Sequence, residues 1–191
     1  MLVVGLANPG GEFSGSRHNV GAEVVRVLSE RHGTGLRPEK GQPATLEEVH
    51  IGDARVALAV PNTYMNDSGE AVRPLLRRFG IEDLEHLIVV HDELDLPPGR
   101  LRIKVGGGIA GHNGLRSIQR HLRSADFVRV RVGIGKPPGR QPGAEFVLRR
   151  PSREDRSQLD VSVAEAADAV EAIVTAGVDE AMNRYNGSGG G

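Results

Sequence analysis

Four short stretches of the chain carry polar side chains where a core would reject them: GLANPG at 5–10, SRHNVG at 16–21, TYMNDSG at 63–69 and GGGIAGHNG at 106–114. With the acidic run HDELD at 91–95 they supply one candidate base, His18, one carboxylate to orient it, Asp92, and three amides, Asn8, Asn66 and Asn113. Hydrolysis of an ester or amide by activated water requires such a set: a base to take the proton, a partner to fix its tautomer, and donors for the oxyanion. Amides suit the last task because they bind without adding charge beside the base. Each residue also has a plainer reading. His18 fits a polar helix cap, Asn8 before Pro9 and Asn113 before Gly114 fit turns, and Met65 fits a gap in the core.

The elements that hold these residues are readable from periodicity and breakers. LVVGL at 2–6 is a buried strand ending in Asn-Pro-Gly turn chemistry, which leaves Asn8 near the strand's end. Val20, Val24, Val25, Val27 and Leu28 repeat at helical spacing until Gly33, placing His18 at a helix N-terminus. ATLEEVHI and ARVALAV form a hairpin around Gly52 and Asp53 that leads to Pro61 and the TYMN turn. Asp67 with Glu70 resembles a capping box for a helix through Phe79, while Pro74 predicts a kink or a later start.

HLIVV at 86–90 reads as a central buried strand with Asp92 just past its end, the place where open α/β sheets gather catalytic groups. LRIKV reads as an alternating, half-exposed strand with Arg100, Arg102 and Lys104 on one face, and VRVRVGI at 128–134 as a second alternating strand on which Arg129 and Arg131 share a face. Gly106–Gly111 forms a bend before a helix starting near Asn113. Leu159, Val163, Ala166, Val170, Ile173 and Val174 mark a long amphipathic helix, followed by a short one around Ala181. This order implies a mixed α/β sheet flanked by helices.

At 191 residues the chain suits a single domain, expected over 1–186, with GSGGG at 187–191 as a disordered tail. The absence of cysteine removes disulfides, thiolate nucleophiles and thiolate-rich zinc sites together. No long apolar run or basic-then-apolar leader is present, so a cytoplasmic protein without a membrane partner is expected. A near-neutral total hides segregation. Residues 100–150 hold 12 basic and 2 acidic side chains, between flanks that are net acidic. Such a block suits a polyanion, since each neutralised phosphate releases counterions.

These motifs, in order, resemble bacterial-type peptidyl-tRNA hydrolase: GLANPG, Arg17-His18-Asn19, TYMN with SGEAV, DELDLPPG, GIAGHNGL and VRVRVGIG, across roughly the first 135 residues. The resemblance implies a monomeric three-layer α/β/α sandwich around a mixed twisted sheet. It implies an enzyme that cleaves the ester joining a peptide to the 3′ end of tRNA, recycling tRNA with no metal, cofactor or obligate protein partner.

Carried over residue by residue, the catalytic histidine falls on His18 and its orienting aspartate on Asp92, with water as nucleophile. Asn8, Asn66 and Asn113 match the site amides, and Met65 a residue lining the peptide path. His112 becomes a substrate contact, and His91 a packing or supporting residue. Lys104 and Arg131 match a clamp for the 5′ phosphate, inside the basic block. Arg116, Arg120 and Arg123 either extend that patch along a helix or only solvate it. One departure is visible: Phe13 stands where the family usually carries tyrosine, so its ring can stack without donating a hydrogen bond.

Three rival readings are weaker. GGGIAG at 106–111 fits a dinucleotide-binding glycine pattern, but the preceding strand alternates with charges and no acidic residue follows at the next strand's end. Some proteins of this fold bind RNA in splicing without hydrolysing it, against which stands the retention of His18, Asp92 and all three amides. His18, His91 and His112 as metal ligands lack any supporting spacing.

Overall fold

The computed structural model describes residues 1–187. Strand β1 (Leu2–Gly5) is buried throughout, and α1 (Val20–His32) follows, turning Val20, Val24, Val25 and Leu28 inward. A two-residue strand β2 (Arg37–Pro38) precedes the hairpin of β3 (Ala44–Ile51) and β4 (Ala54–Pro61). Next come α2 (Ser68–Arg78), β5 (Leu87–Glu93), β6 (Leu101–Val105), α3 (Asn113–Leu122) and β7 (Val128–Gly133). The chain closes with α4 (Gly143–Leu148), α5 (Arg153–Ala176) and α6 (Val178–Asn186).

The strands form one seven-stranded sheet in the order β2-β3-β4-β1-β5-β7-β6. β4, β1, β5 and β7 are parallel, and β2, β3 and β6 join antiparallel at the edges. Side chains alternate between faces, so register assigns each residue to a layer. Val3, Ile88, Val90, Val128 and Val130 pack with Val24 and Leu28 of α1 and with Val163, Ala166 and Val170 of α5. Leu2, Val4, Leu87 and Val89 face the other way, onto Leu75 of α2 and Leu115 and Ile118 of α3. The result is the expected α/β/α sandwich. β5 is buried at all seven positions, as a parallel strand covered on both faces must be.

Several local expectations change. Asp92 lies inside β5 rather than past it. α2 starts at Ser68 with Pro74 inside it, so the later start is excluded. No capping box forms: Asp67 makes no side-chain cap, and the Ser68 hydroxyl instead donates to the Met65 carbonyl at 2.7 Å. The alternation of β7 does not carry its arginines into solvent: Arg129 is only 2% exposed. The short elements β2 and α4 had no sequence signal. Gly187 is the C-cap of α6, and the rest of the expected tail lies outside the described residues.

Candidate active site

Two glycines set the site's foundation. A Cβ on Gly5 would overlap the carbonyl of Gly21, and a Cβ on Gly21 would overlap the carbonyl of Val90. The start of α1 therefore lies directly on the ends of β1 and β5, which brings His18, in the turn Arg17–Asn19, over Asp92.

The loop after β1 is clipped to that turn by a reciprocal pair. The Asn8 backbone N–H donates to Asn19 Oδ1 at 2.8 Å, and Asn19 Nδ2 donates to the Asn8 carbonyl at 2.9 Å. The Asn8 side-chain oxygen accepts from the Met65 N–H at 2.8 Å, tying in the TYMN turn. Asn8 thus organises three segments from a buried position.

At the centre, His18 Nδ1 donates to Asp92 Oδ1 at 2.8 Å. His112 Nε2 donates to the same oxygen at 2.9 Å. His112 also caps α3: its Nδ1 accepts from the N–H groups of Gly114 and Leu115 at 3.2 and 3.4 Å. Those two donors require a lone pair on Nδ1, so the ring proton sits on Nε2, facing Asp92. Burial alone would raise Asp92, but attraction to His112 and His18, and their hydrogen bonds, hold its carboxyl below the ordinary range. It remains an anion at 3% exposure. His18 Nε2 has no hydrogen-bond partner among the described residues.

His91 lies beneath, fully buried, with its ring 4.9 Å from that of His112 in edge contact. Its Nδ1 donates to the Asp92 backbone carbonyl at 2.7 Å, and its Nε2 has no partner. Burial, then the neighbouring His112, pushes its pKa down to about 3, so the ring is neutral.

A cavity of about 120 Å³ opens on this centre, lined by His18, Asp92, Glu93, His112, Asn113 and the 110–111 backbone on one side and by Gly143, Ala144 and Val147 on the other. Asn113 is exposed, and its Oδ1 accepts from Arg116 at 3.1 Å, which leaves its Nδ2 to donate elsewhere. Asn66 is exposed and lines no part of this cavity. Met65 is buried core, packed against Gly114 and Leu6. Phe13 is half-buried in a turn at Gly11–Phe13.

Lys104 and Arg131 share one face of the β6–β7 ladder, but register places Lys104 opposite Arg129 and Arg131 opposite Arg102. Since Arg129 pairs with Val89, which packs under α3, this basic face lies on the α2–α3 side. Arg131 is ion-paired to Glu93 Oε2 through Nε and one terminal nitrogen, each at 3.0 Å.

Three contributions escaped sequence reasoning. The His112–Asp92 bond joins residues 20 apart. Asn19 was visible beside His18 but not as a clip. Arg129 donates to the carbonyls of Gly106 and Gly108, holding the loop that leads to His112. Ligand atoms of His18, Asp92 and His112 lie within 4.8 Å of one another. A cation there would displace both hydrogen bonds to Asp92, and the histidine set imagined from sequence does not converge, because His91 faces a backbone carbonyl.

Comparison with known proteins places this geometry in context. A sequence profile describing peptidyl-tRNA hydrolase matches residues 2–190. The chain is 50% identical over 195 residues to a peptidyl-tRNA hydrolase of Cutibacterium acnes, covering 97% of each chain. It is 48% identical over 185 residues to one of Nocardia farcinica, covering 97% of this chain and 95% of the other. A crystal structure of peptidyl-tRNA hydrolase from Acinetobacter baumannii superposes with a TM-score of 0.91 at 37% identity, covering 97% of this chain and 94% of that one. The likeness therefore continues through α5 and α6, past the motifs of the first 135 residues.

Proposed function

Because the chain belongs to the peptidyl-tRNA hydrolase family, we infer that it hydrolyses the ester between a peptide and the 3′ end of tRNA, releasing tRNA for reuse. The observation that carries the mechanism is the 2.8 Å bond from His18 Nδ1 to a buried, ionised Asp92. It aims the His18 Nε2 lone pair at a water in the adjoining cavity. As the water attacks the ester carbonyl, His18 takes its proton and Asp92 stabilises the imidazolium. Because Asn66, expected with nearby backbone amides to hold the oxyanion, lines no part of the cavity, that role passes to the free Nδ2 of Asn113, which donates to the developing charge. The proton on His18 then passes to the departing ribose oxygen, giving a free peptide acid and a tRNA 3′ hydroxyl.

For the nucleic acid, Arg131 keeps one terminal nitrogen beyond those on Glu93. With the exposed ammonium of Lys104 on the same sheet face it forms a clamp for the 5′ phosphate. Of the expected peptide contacts, Asn66 and Phe13 reach the surface, while the buried Asn8 and Met65 act from behind by fixing the TYMN turn. All these groups come from one chain, which fits a monomer. No helix among the described residues is long and apolar enough to cross a membrane, and a substrate made by translation fits cytoplasmic work.

The test is deacylation of N-acetyl-aminoacyl-tRNA beside free aminoacyl-tRNA, with and without EDTA, for wild type and His18→Ala. Rapid, EDTA-resistant release from the blocked ester, slowed in His18→Ala by about 10²–10⁴-fold with tRNA binding retained, is expected. Near-wild-type turnover by His18→Ala would remove the base, and tight tRNA binding without any release would make the protein an RNA-binding relative rather than an enzyme.

A further inference from the structure

We propose that the concavity between α2 and α3, walled by Arg73, Arg120 and Arg123, binds phosphodiester groups of the tRNA body, remote from the acceptor end. This second binding surface rests on the family reading above and extends it.

The cavity measures about 510 Å³ and is lined by Arg73, Arg120, His121, Leu122 and Arg123, with no carboxylate in its wall. All three arginines are exposed. None has an ion-pair or hydrogen-bond partner among the described residues, whereas Arg17, Arg31, Arg78, Arg131 and Arg156 are each paired to carboxylates. Glu70, one turn before Arg73, makes no ion pair with it. Three like charges held together with no counter-charge mark a surface that gains by meeting an anion.

The mounting is rigid. One turn before the cavity the helices touch at backbone level: the Gly69 N–H donates to Ser117 Oγ at 3.0 Å, and a Cβ on Gly69 would collide with the Ser117 carbonyl and His121. Arg73 and His121 lie four residues on from this contact. The His121 Nδ1–H donates to the Ser117 carbonyl at 2.8 Å, which fixes that ring as part of the wall.

Arg123 adds a second observation. It ends α3 in the left-handed region, φ 57°, a position that favours glycine. Attraction between a cation and the negative end of a helix accounts for a basic residue here. It does not account for Arg73, which sits inside α2. Three full charges outweigh the roughly half charge of opposite sign at the helix end.

Position selects the ligand. α3 begins beside the catalytic cavity at His112 and ends at Arg123, and its ten residues span about 15 Å. The cavity is on the same side of the sheet as Lys104 and Arg131. An anion bound there, with an ester in the catalytic cavity, belongs to the nucleic acid beyond the scissile nucleotide.

The experiment combines Arg73→Gln, Arg120→Gln and Arg123→Gly in the full chain. KM and kcat are measured across a salt series for N-acetyl-aminoacyl-tRNA and for the same ester on a trinucleotide ending in CCA. The expected result is a KM for the full substrate raised about tenfold or more, with a log–log salt slope flatter by about 0.9 for each phosphate no longer neutralised. Turnover number and trinucleotide kinetics should be unchanged, and Arg123→Gly should leave the melting temperature equal or higher because it relieves the left-handed position. An unchanged KM and salt slope would overturn the proposal, as would equal losses on both substrates. Inhibition by millimolar inorganic phosphate, relieved in the variant, would reassign the cavity to small anions. If wild type cleaves neither ester, the family reading fails instead, and salt-dependent binding of deacylated tRNA by wild type and variant decides the cavity's role.

Discussion

His18 and His112 donate to one and the same oxygen, Asp92 Oδ1, at 2.8 and 2.9 Å. A single buried anion therefore orients His18 and, through the α3 cap, the start of the helix that carries Asn113. Asp92→Asn keeps an acceptor of the same shape but removes the charge that, on the proposed mechanism, stabilises imidazolium. Turnover should fall by about 10²–10⁴-fold with KM little changed. Single-turnover hydrolysis measures this, and activity within a few-fold of wild type would show that Asp92 is structural only.

The two jobs of His112 can be separated. His112→Asn retains a side-chain acceptor for the first N–H groups of α3, whereas His112→Ala does not, so only the alanine variant should lose about 1 kcal/mol of stability. Both variants lose the bond to Asp92, and both should turn over more slowly. Urea denaturation paired with kinetics tests the split. Equal stability loss in the two variants would mean that capping is not what His112 supplies.

Arg129 places a buried cation against the carbonyls of Gly106 and Gly108. Arg129→Met removes a desolvated charge along with those bonds, so global stability should change by no more than about 1–2 kcal/mol. The Gly106–Gly111 segment should nonetheless exchange amide hydrogens faster, and kcat should drop as His112 loses its fixed approach. Unaltered exchange in that segment would refute the tether.

Acid sensitivity follows from His91. An unfolded histidine titrates near about 6.5, whereas His91 in the fold is held down to about 3. Because the folded value is the lower one, the unfolded chain takes the proton first, and stability declines as pH falls from about 6.5 towards 3. Between pH 6.5 and 5 this group should remove about 2 kcal/mol, at about 1.4 kcal/mol per pH unit. Asp92, also depressed, adds its own loss only below about pH 4. Unfolding free energies of wild type and His91→Gln should converge on acidification over pH 6.5–5. Parallel curves would show that His91 is protonated in the fold.

Much of this arrangement was legible from residues alone, for identifiable reasons. β1, β5 and α1 announce themselves through apolar runs and breakers, and His18 and Asp92 stand at their ends. The bond from His112 to Asp92 was hidden because it depends on how a loop is folded back, not on spacing. The burial of Arg129 was not legible because alternation of valine and arginine does not say which face is covered, and only the carbonyls of Gly106 and Gly108 make that burial tolerable. α4 escaped because a six-residue helix after proline- and glycine-rich sequence has no measurable periodicity. The Asp67–Glu70 box failed because Ser68 turns back to Met65, a local competition that composition does not rank.

The absence of side chains at Gly5 and Gly21 has a consequence for how the molecule must work. With α1 seated against the strand ends at backbone level, a roll or slide of the helix would drive it into those carbonyls, and His18 is held in one position. A side chain at either glycine would lift α1 and carry His18 off Asp92, so the placement of that pair is written into two residues that touch neither of them.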